Sequence, residues 1–599
     1  GESALDAAVT GDNNTAIGKN ALSANTSGYD NVAVGLDALK VNTTGNENVA
    51  IGKVSLDANT SGTKNVGVGK YTLSGNTTGG SNTAVGDQAL FANTTASNNT
   101  AVGMYALKAN TTANYNTAVG QAALGVNTTG HSNVAVGAFA LDANTTAVIN
   151  TAVGTLALSA VTTGSQNTAV GYAAGQSVTT GVDNVGLGYQ AIGGVTTGNY
   201  NIGVGRNALN STAGGSSNVA MGYTALATNT SSNNTAFGHA ALVASSTGTE
   251  LTAVGANALD ANTTANHNTG IGSHALSATT TGANNTALGR RALFSNTTAS
   301  NNTAVGFNSL YVNTTGTRNT ALGYNALQGN TTSNNCTAVG WEAAKTANGA
   351  TDTTAVGAYA LQALTTGDYN VAVGQAAGVS TTTGYSNTYI GLGSGRAATT
   401  GLQNTCIGKD AGKNITTAER NTIIGFNAGN NLTTGLGAGN GRNIAIGDDT
   451  SFAAADDDRS IVIGHNTVGK GDNQTIIRGN GGIYNSQNST TWDEFSDERI
   501  KKNIVDNNTG LDILNQIQVR NFEYRTEEEI VDFSNPKAAL VKKLGVQIGS
   551  IAQEIEKVLP EIVTESSIGV KSVNTDPLFW YLINAVKELS AKVTALEAG

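Results

Sequence analysis

The sequence is short of proline, of charge and of long apolar runs. All three prolines lie in the last 64 of the 599 residues, at Pro536, Pro560 and Pro577. Charged residues make up 12% of the chain, against about 25% in ordinary soluble domains. The longest apolar runs are a handful of residues, so we expect no segment to insert into a membrane.

Residues that usually carry binding chemistry are also few. The net charge of −10 leaves no basic surface for a phosphate backbone, and nucleic-acid binding is not expected. Cys336 and Cys406 are the only two cysteines, so a disulfide framework is excluded as the main stabiliser. The five histidines are scattered without metal-ligand spacing. We therefore expect neither a metal nor a cofactor.

The chain consists mainly of an internal repeat. The pentapeptide "NTAIG" ends at Gly18, and similar pentapeptides follow every 17 residues through Gly222. One residue is missing before Gly238, and five extra residues precede Gly447. The last repeat glycine is Gly464, which gives 27 units of the form N-T-A-V-G-x-x-A-L-x-x-N-T-T-G-x-x.

One such unit is too small to fold alone. It holds about four apolar side chains, which cannot offset the ordering entropy of its backbone. Within "NVAVG", Val32 and Val34 are β-branched and flank an alanine, which predicts a short strand. "AL" adds a second inward position, and "NTTG" predicts a turn. A coil is thus expected to contain a strand, a bend, a second short extended piece and a turn.

Stacked coils place the same residue type above itself at every turn. Asparagine begins all but four of the units, which predicts a ladder of side-chain amides. The absence of proline fits N–H groups that pair with the adjacent coil. At about 4.8 Å per coil, the shaft would be on the order of 130 Å long. The four exceptions are Leu251, Cys336, Thr353 and Ser460.

The repeats resemble known fibrous proteins over residues 14–464. They are similar to the head repeats of trimeric autotransporter adhesins, and closer still to the "NTAIG…AL…NTTG" repeats of phage tail-fibre-like proteins. The resemblance implies a mostly β fold, in which three chains form a parallel β-roll or β-solenoid shaft.

The composition changes sharply at the segment "SDERIKKNI", Ser496 to Ile504. Residues 496–599 contain 12 Lys/Arg and 16 Asp/Glu, about 27%, which leaves 44 charged residues, about 9%, in the first 495. Read alone, the segment is an ordinary helix start with Ser496 as N-cap. Residues 1–13, which lack an initiator methionine, are interpreted as a lead-in with a truncated or processed start, and 465–495 as a transition or β cap.

Further motifs favour a more specific interpretation of residues 496–599. "GLDILNQIQVRNFEYR", "GVQIGSIAQEIEKVLPEIV" and "LINAVKELSAKVTALE" follow "SDERIKKNI" in that order. Together they resemble the endosialidase-type intramolecular chaperone (peptidase S74) domain of phage tail spikes and fibres, a small α+β domain. The resemblance implies trimerisation, followed by self-cleavage between Phe495 and Ser496 with Lys501 as the base. A buried lysine with a lowered pKa can activate a serine hydroxyl in this way.

The end of the chain has heptad spacing. Leucines recur every seven residues with valines between them, which predicts a short coiled-coil seam in a trimer. The alternative is an amphipathic helix packed on its own domain. The seam residues are Leu582, Val586, Leu589, Val593 and Leu596.

These features favour a trimeric tail fibre on a virion, which binds a host surface glycan or protein and contacts other tail proteins. The first alternative is a bacterial cell-surface or secreted adhesin filament, and the second is a polysaccharide depolymerase. Tyrosines just after the repeat glycine, such as Tyr172 and Tyr324, either offer sugar-stacking platforms or fill a gap at the bend. "NTT" tripeptides, as at Asn42 and Asn127, are formal N-glycosylation acceptors that the turn also explains.

Overall fold

The computed structural model describes residues 1–211, 213–434, 441–478, 503–530, 541, 544–565 and 569–599, and the backbone of 483–485. The chain divides into two compact units, Gly1–Asp493 and Glu494–Gly599. The first unit is a parallel β-solenoid, which confirms the mostly β fold class expected from the repeat.

Each of the 27 repeat units forms one short strand. The strands are β1 Thr15–Ile17, β2 Val32–Val34, β3 Val49–Ile51, β4 Val66–Val68, β5 Thr83–Val85, β6 Thr100–Val102, β7 Thr117–Val119, β8 Val134–Val136, β9 Thr151–Val153, β10 Thr168–Val170, β11 Val185–Leu187, β12 Ile202–Val204, β13 Val219–Met221, β14 Thr235–Phe237, β15 Thr252–Val254, β16 Thr269–Ile271, β17 Thr286–Leu288, β18 Thr303–Val305, β19 Thr320–Leu322, β20 Thr337–Val339, β21 Thr354–Val356, β22 Val371–Val373, β23 Thr388–Ile390, β24 Thr405–Ile407, β25 Thr422–Ile424, β26 Ile444–Ile446 and β27 Ile461–Gly464.

Consecutive strands pair in parallel with equivalent residues side by side. Thr15 lies beside Val32 in the first pair. The coil with one residue fewer keeps this alignment, with Val219 beside Thr235. The longer coil keeps it too, with Thr422 beside Ile444. Changes in coil length are therefore absorbed in the turns, and the strand register is preserved.

The strands present their smaller side chains to the interior. Ala33 is fully buried, whereas Val32 and Val34 on either side of it are only partly covered. Leu39 of the "AL" pair is fully buried, as expected. The predicted second extended piece is wrong, because Asp37 and Leu39 adopt left-handed backbone angles, with φ of 58° and 51°, in a tight turn. Burial of the leucine side chain offsets this unfavourable conformation.

The asparagines that begin the units form the predicted ladder. Asn48 donates its side-chain N–H to Oδ1 of Asn31 at 3.1 Å and to the carbonyl of Gly62 at 2.9 Å. The backbone N–H of Asn48 also donates to Asn31 Oδ1, at 3.0 Å. One buried amide thus links consecutive coils through side chain and backbone together.

A second amide ladder runs through the "NTTG" turns. Asn42 donates to Asn25 Oδ1 at 3.0 Å and to the carbonyl of Gly45 at 3.0 Å. Where valine replaces this asparagine at Val161, Oδ1 of Asn144 has no hydrogen-bond partner among the described residues. Because Asn42 and Asn127 are fully buried in this ladder, their side chains are closed to glycosylation in the folded shaft.

The repeat glycine is required by close approach of the coils. Gly18 has φ of +134°, and a Cβ built on it would lie 2.4 Å from the carbonyl oxygen of Gly35 in the next coil. The other repeat glycines approach the next coil similarly closely. A residue with a side chain would not fit there, so glycine is needed for the turn that follows the strand.

A local change in core packing shows how one large residue is accommodated. Tyr389 occupies a strand position that is usually alanine and is fully buried. Its ring extends into space left by Gly378 and Gly395, where most coils have leucine. A Cβ at Gly395 would lie 2.3 Å from the ring. Three substitutions in neighbouring coils therefore preserve the core volume.

The shaft continues briefly after the last repeat. Strand β28, Thr475–Arg478, pairs in parallel with β27. Strand β29, Ile483–Asn485, pairs antiparallel with β28.

The second unit is small and mixed. Helix α1 is Leu511–Gln516, α2 is Ala552–Ile555 and α3 is Asp576–Glu597. Two antiparallel pairs accompany them, β30 Arg520–Phe522 with β31 Gln547–Gly549, and β32 Val563–Glu565 with β33 Lys571–Val573. Short 3-10 turns lie at Glu527–Glu529 and Pro560–Ile562. Ile555, Leu559 and Ile562 form the core.

The first asparagine ladder can be tested by breaking it at one coil and completing it at another. Asn82→Cys removes the acceptor of the Asn99 backbone N–H, now at 3.0 Å, and should lower the free energy of unfolding by about 1–3 kcal/mol. Cys336 already interrupts the ladder, so Cys336→Asn should raise the urea midpoint measured by circular dichroism. Equal destabilisation by both substitutions would contradict the ladder's role.

Candidate functional site

The residue before each repeat glycine forms an outer apolar column along the shaft. From Ile17 to Ile463 this residue is Val, Ile, Leu, Met or Phe in all 27 coils. Much of the column is open in the single chain, with Phe237 49% and Leu288 46% exposed. A continuous exposed apolar stripe of this kind is a candidate contact surface.

Comparison among the coils shows that the apolar character is specific to this column. Two positions later, just after the glycine, the side chain varies freely and includes Lys19, Asp87 and Arg206. The 27 coils share one backbone path, so they act as an internal substitution series. Polar residues are accepted after the glycine and never before it, as expected if only the outer apolar column is covered in the assembled molecule.

Helix α3 presents a second apolar surface, on the C-terminal unit. One side of α3 packs on α1, where Ala585 is buried and the carboxylate of Glu588 accepts the backbone N–H of Leu511 at 3.3 Å. Asn584 donates to the carbonyl of Asn507 at 2.6 Å. The heptad residues lie outside this packing, and all five are exposed. They are Leu582, Val586, Leu589, Val593 and Leu596.

Two ion pairs lie among the described residues of this unit. Arg520 contacts Glu554 at 2.9 Å, and Lys571 contacts Glu556 at 2.6 Å. The hydrogen bond that Lys571 donates to the Glu556 carboxylate holds the pKa of Lys571 above its usual range. A lysine with a raised pKa is a poor general base, so Lys571 is unsuited to activating a serine.

The predicted cleavage residues Phe495, Ser496 and Lys501 lie outside the described residues. Their catalytic roles stay predictions from the sequence.

The described residues contain no group of three or more His, Cys, Asp or Glu placed to hold a metal ion. Cys336 and Cys406 are buried free thiols. Burial raises the pKa of Cys336 to about 11 and that of Cys406 to about 12, so neither forms a reactive thiolate at neutral pH. Within the same described residues, no helix is long and apolar enough to cross a bilayer.

Aromatic rings form exposed stacks in the column just after the repeat glycine. Tyr172 and Tyr189 stack at 5.4 Å between ring centroids. Tyr324 stacks on Trp341 at 4.1 Å. The rings thus cover one another along the outside of the shaft. Tyrosine recurs in this column and can be recognised from the sequence, whereas Trp341 is the one tryptophan in the column and gives no recurring signal.

Comparison with known families identifies the start of the C-terminal unit. Residues 496–564 match the peptidase S74 family, described as chaperone of endosialidase. No curated protein sequence matches the chain. The chain thus combines a 27-coil β-solenoid with a C-terminal chaperone-of-endosialidase domain, an arrangement that fits a tail-fibre-like protein.

The exposed face of α3 generates a test of self-association. If copies of the chain associate through this face, Leu589→Asp should lower the molecular mass measured by analytical ultracentrifugation, because an unpaired charge would be desolvated in the seam. Ala591→Asp adds the same charge at an exposed position of α3 outside the seam, and should leave the mass unchanged. Equal effects of the two substitutions would argue against a seam.

Proposed function

We propose that this chain is the shaft of a trimeric phage tail fibre for host-surface attachment, assembled by a C-terminal chaperone that cleaves itself off. The observation that carries the proposal is the chaperone-of-endosialidase match at residues 496–564, directly after a long β-solenoid. The outer apolar column and the exposed seam of α3 support the trimer, because both provide surfaces that other copies of the chain can cover.

The repeat itself explains why such a shaft needs a chaperone. Successive coils make nearly identical bonds, such as Thr15 N–H to Asn31 O and Val32 N–H to Asn48 O, both at 2.8 Å. A coil paired with the wrong neighbour would form similar bonds, so the local contacts specify register weakly. A folded C-terminal trimer aligns three chains first, and coils can then add in order.

In the proposed self-cleavage, Ser496 is the nucleophile and Lys501 is the base. Neutral Lys501 takes the proton of the Ser496 hydroxyl as its oxygen attacks the carbonyl carbon of Phe495. The Phe495–Ser496 C–N bond breaks, and the amine of Ser496 leaves with a proton. Water then hydrolyses the resulting ester, which frees the Phe495 carboxylate and restores the hydroxyl. Burial would keep Lys501 neutral.

The proposal locates the trimer on the virion tail, with a host glycan or protein as receptor and other tail proteins as partners. A bacterial surface adhesin built from similar repeats is the alternative, supported by the resemblance to autotransporter heads. Immunogold labelling with an antibody against residues 14–464 separates them. Labelled virion tails support the proposal, whereas label confined to cell envelopes contradicts it.

Cleavage is tested by the intact mass of the expressed protein. The parent chain should give two fragments, residues 1–495 and 496–599. Ser496→Ala removes the nucleophile and Lys501→Ala removes the base, so each should give one full-length species. Lys502→Ala is the matched control and should still be cut. A full-length parent, or cleavage in Ser496→Ala, would show that this processing step is wrong.

A further inference from the structure

The column just after the repeat glycine contains a stack of four residues from consecutive coils, here called the ring ladder. The Arg290 guanidinium lies 5.6 Å from the ring centroid of Phe307. Phe307 stacks on Tyr324 at 5.4 Å, with 10° between the planes. Tyr324 stacks on Trp341 at 4.1 Å and 12°. Phe307 and Tyr324 are therefore each covered by the next ring of the column.

The ladder ends with an uncovered aromatic face. The residue that follows Trp341 in the column is Ala358, and the next is Gln375. Alanine has no ring to cover the second face of the indole, and Trp341 is 49% exposed. Because neighbouring coils are about 4.8 Å apart, the step at Ala358 leaves room for one further ring beside Trp341.

Hydrogen-bonding groups lie next to Trp341 in the chain and in the following coil. Glu342 follows Trp341 in the chain, and its carboxylate accepts from Lys345 at 2.8 Å and from Gln362 at 2.6 Å. Gln362 belongs to the coil of Ala358, so the hydrogen-bonded side chains of Glu342 and Gln362 connect the coil of Trp341 with the next coil. The hydrogen bond from Lys345 lowers the pKa of Glu342, which keeps the carboxylate ionised and able to accept hydrogen bonds at neutral pH.

We propose that Trp341, Glu342 and Gln362 form a binding site for a pyranose ring of a surface glycan. The inference rests on the proposed attachment function and names its ligand class. A pyranose presents a flat C–H face that fits the open indole face, and hydroxyl groups at its edge that fit the carboxylate and the amide. A cationic ligand fits less well, because Lys345 already neutralises Glu342.

The position of the site on the shaft is compatible with assembly. Trp341 lies in the column that accepts lysine, aspartate and arginine in other coils, so this column faces solvent. The outer apolar column is two positions earlier in the chain. Copies of the chain that cover the outer apolar column can leave the open face of Trp341 accessible.

Tryptophan fluorescence provides a direct binding test on the full chain. Trp492→Phe and Trp580→Phe leave Trp341 as the single tryptophan. Tetrasaccharides of glucose, galactose, mannose and N-acetylglucosamine serve as probes. At least one should produce a saturable change in the emission of Trp341, with a Kd of about 1 mM or below. If none changes the emission, the proposal is wrong.

The most informative variant covers the open face of Trp341 with another aromatic ring. Ala358→Tyr adds a ring to the ladder at a position where tyrosine already occurs in other coils, as at Tyr324. It should weaken binding about tenfold or more while the urea midpoint stays at or above that of the parent. Tyr189→Ala, which removes a ring from a distant part of the same column, is the control and should bind as the parent does. Parent-like binding by Ala358→Tyr would overturn the site.

A separate cell-attachment assay distinguishes this site from the proposed function. If saccharides bind at Trp341 but the trimer attaches to no host cell, the attachment function fails and the site stands. If the trimer attaches to host cells but no saccharide binds at Trp341, the site fails and the function stands.

Discussion

The shaft depends on hydrogen bonding between coils. Each coil buries two asparagine positions and most of its backbone polar groups, and few of these groups have partners within their own coil. Asn31 is satisfied by Asn14 before it and Asn48 after it. Because an unpaired buried amide costs about 1–3 kcal/mol, a coil is stable only when it is stacked in register. This explains why the period is kept and why the exceptions to asparagine are few.

Close stacking also determines which side chains face inward. The interior of a 17-residue coil is narrow, so in most coils the strand contributes alanine or glycine and the turn contributes leucine. The strand residues on either side then point outward, and those before the repeat glycine form the outer apolar column. The buried amides hydrogen-bond to one another inside the shaft. The outer surface can therefore remain apolar and available for association. The exposed seam of α3 provides a comparable surface in the C-terminal unit.

Repetition both stabilises the shaft and complicates its assembly. Equivalent coils offer equivalent partners, so long-range order has to be set from one end. The chaperone-of-endosialidase match lies where such a starting point would be expected, immediately after the solenoid. Variation is concentrated where stacking tolerates it. The column after the glycine carries charges, small residues and rings, and the ring ladder forms where this column is aromatic in consecutive coils.

The sequence alone determined the repeat, its 27 strands and the amide ladder at the start of each unit, because a period of 17 residues forces equivalent side chains into contact. It also located the chaperone segment and the heptad residues of α3. Only the tertiary structure decided the direction of the side chains. The left-handed turn at Leu39, the second ladder through Asn42 and the outward position of Val32 and Val34 follow from the path of the coil. That path is set by contacts between coils, which no single repeat encodes.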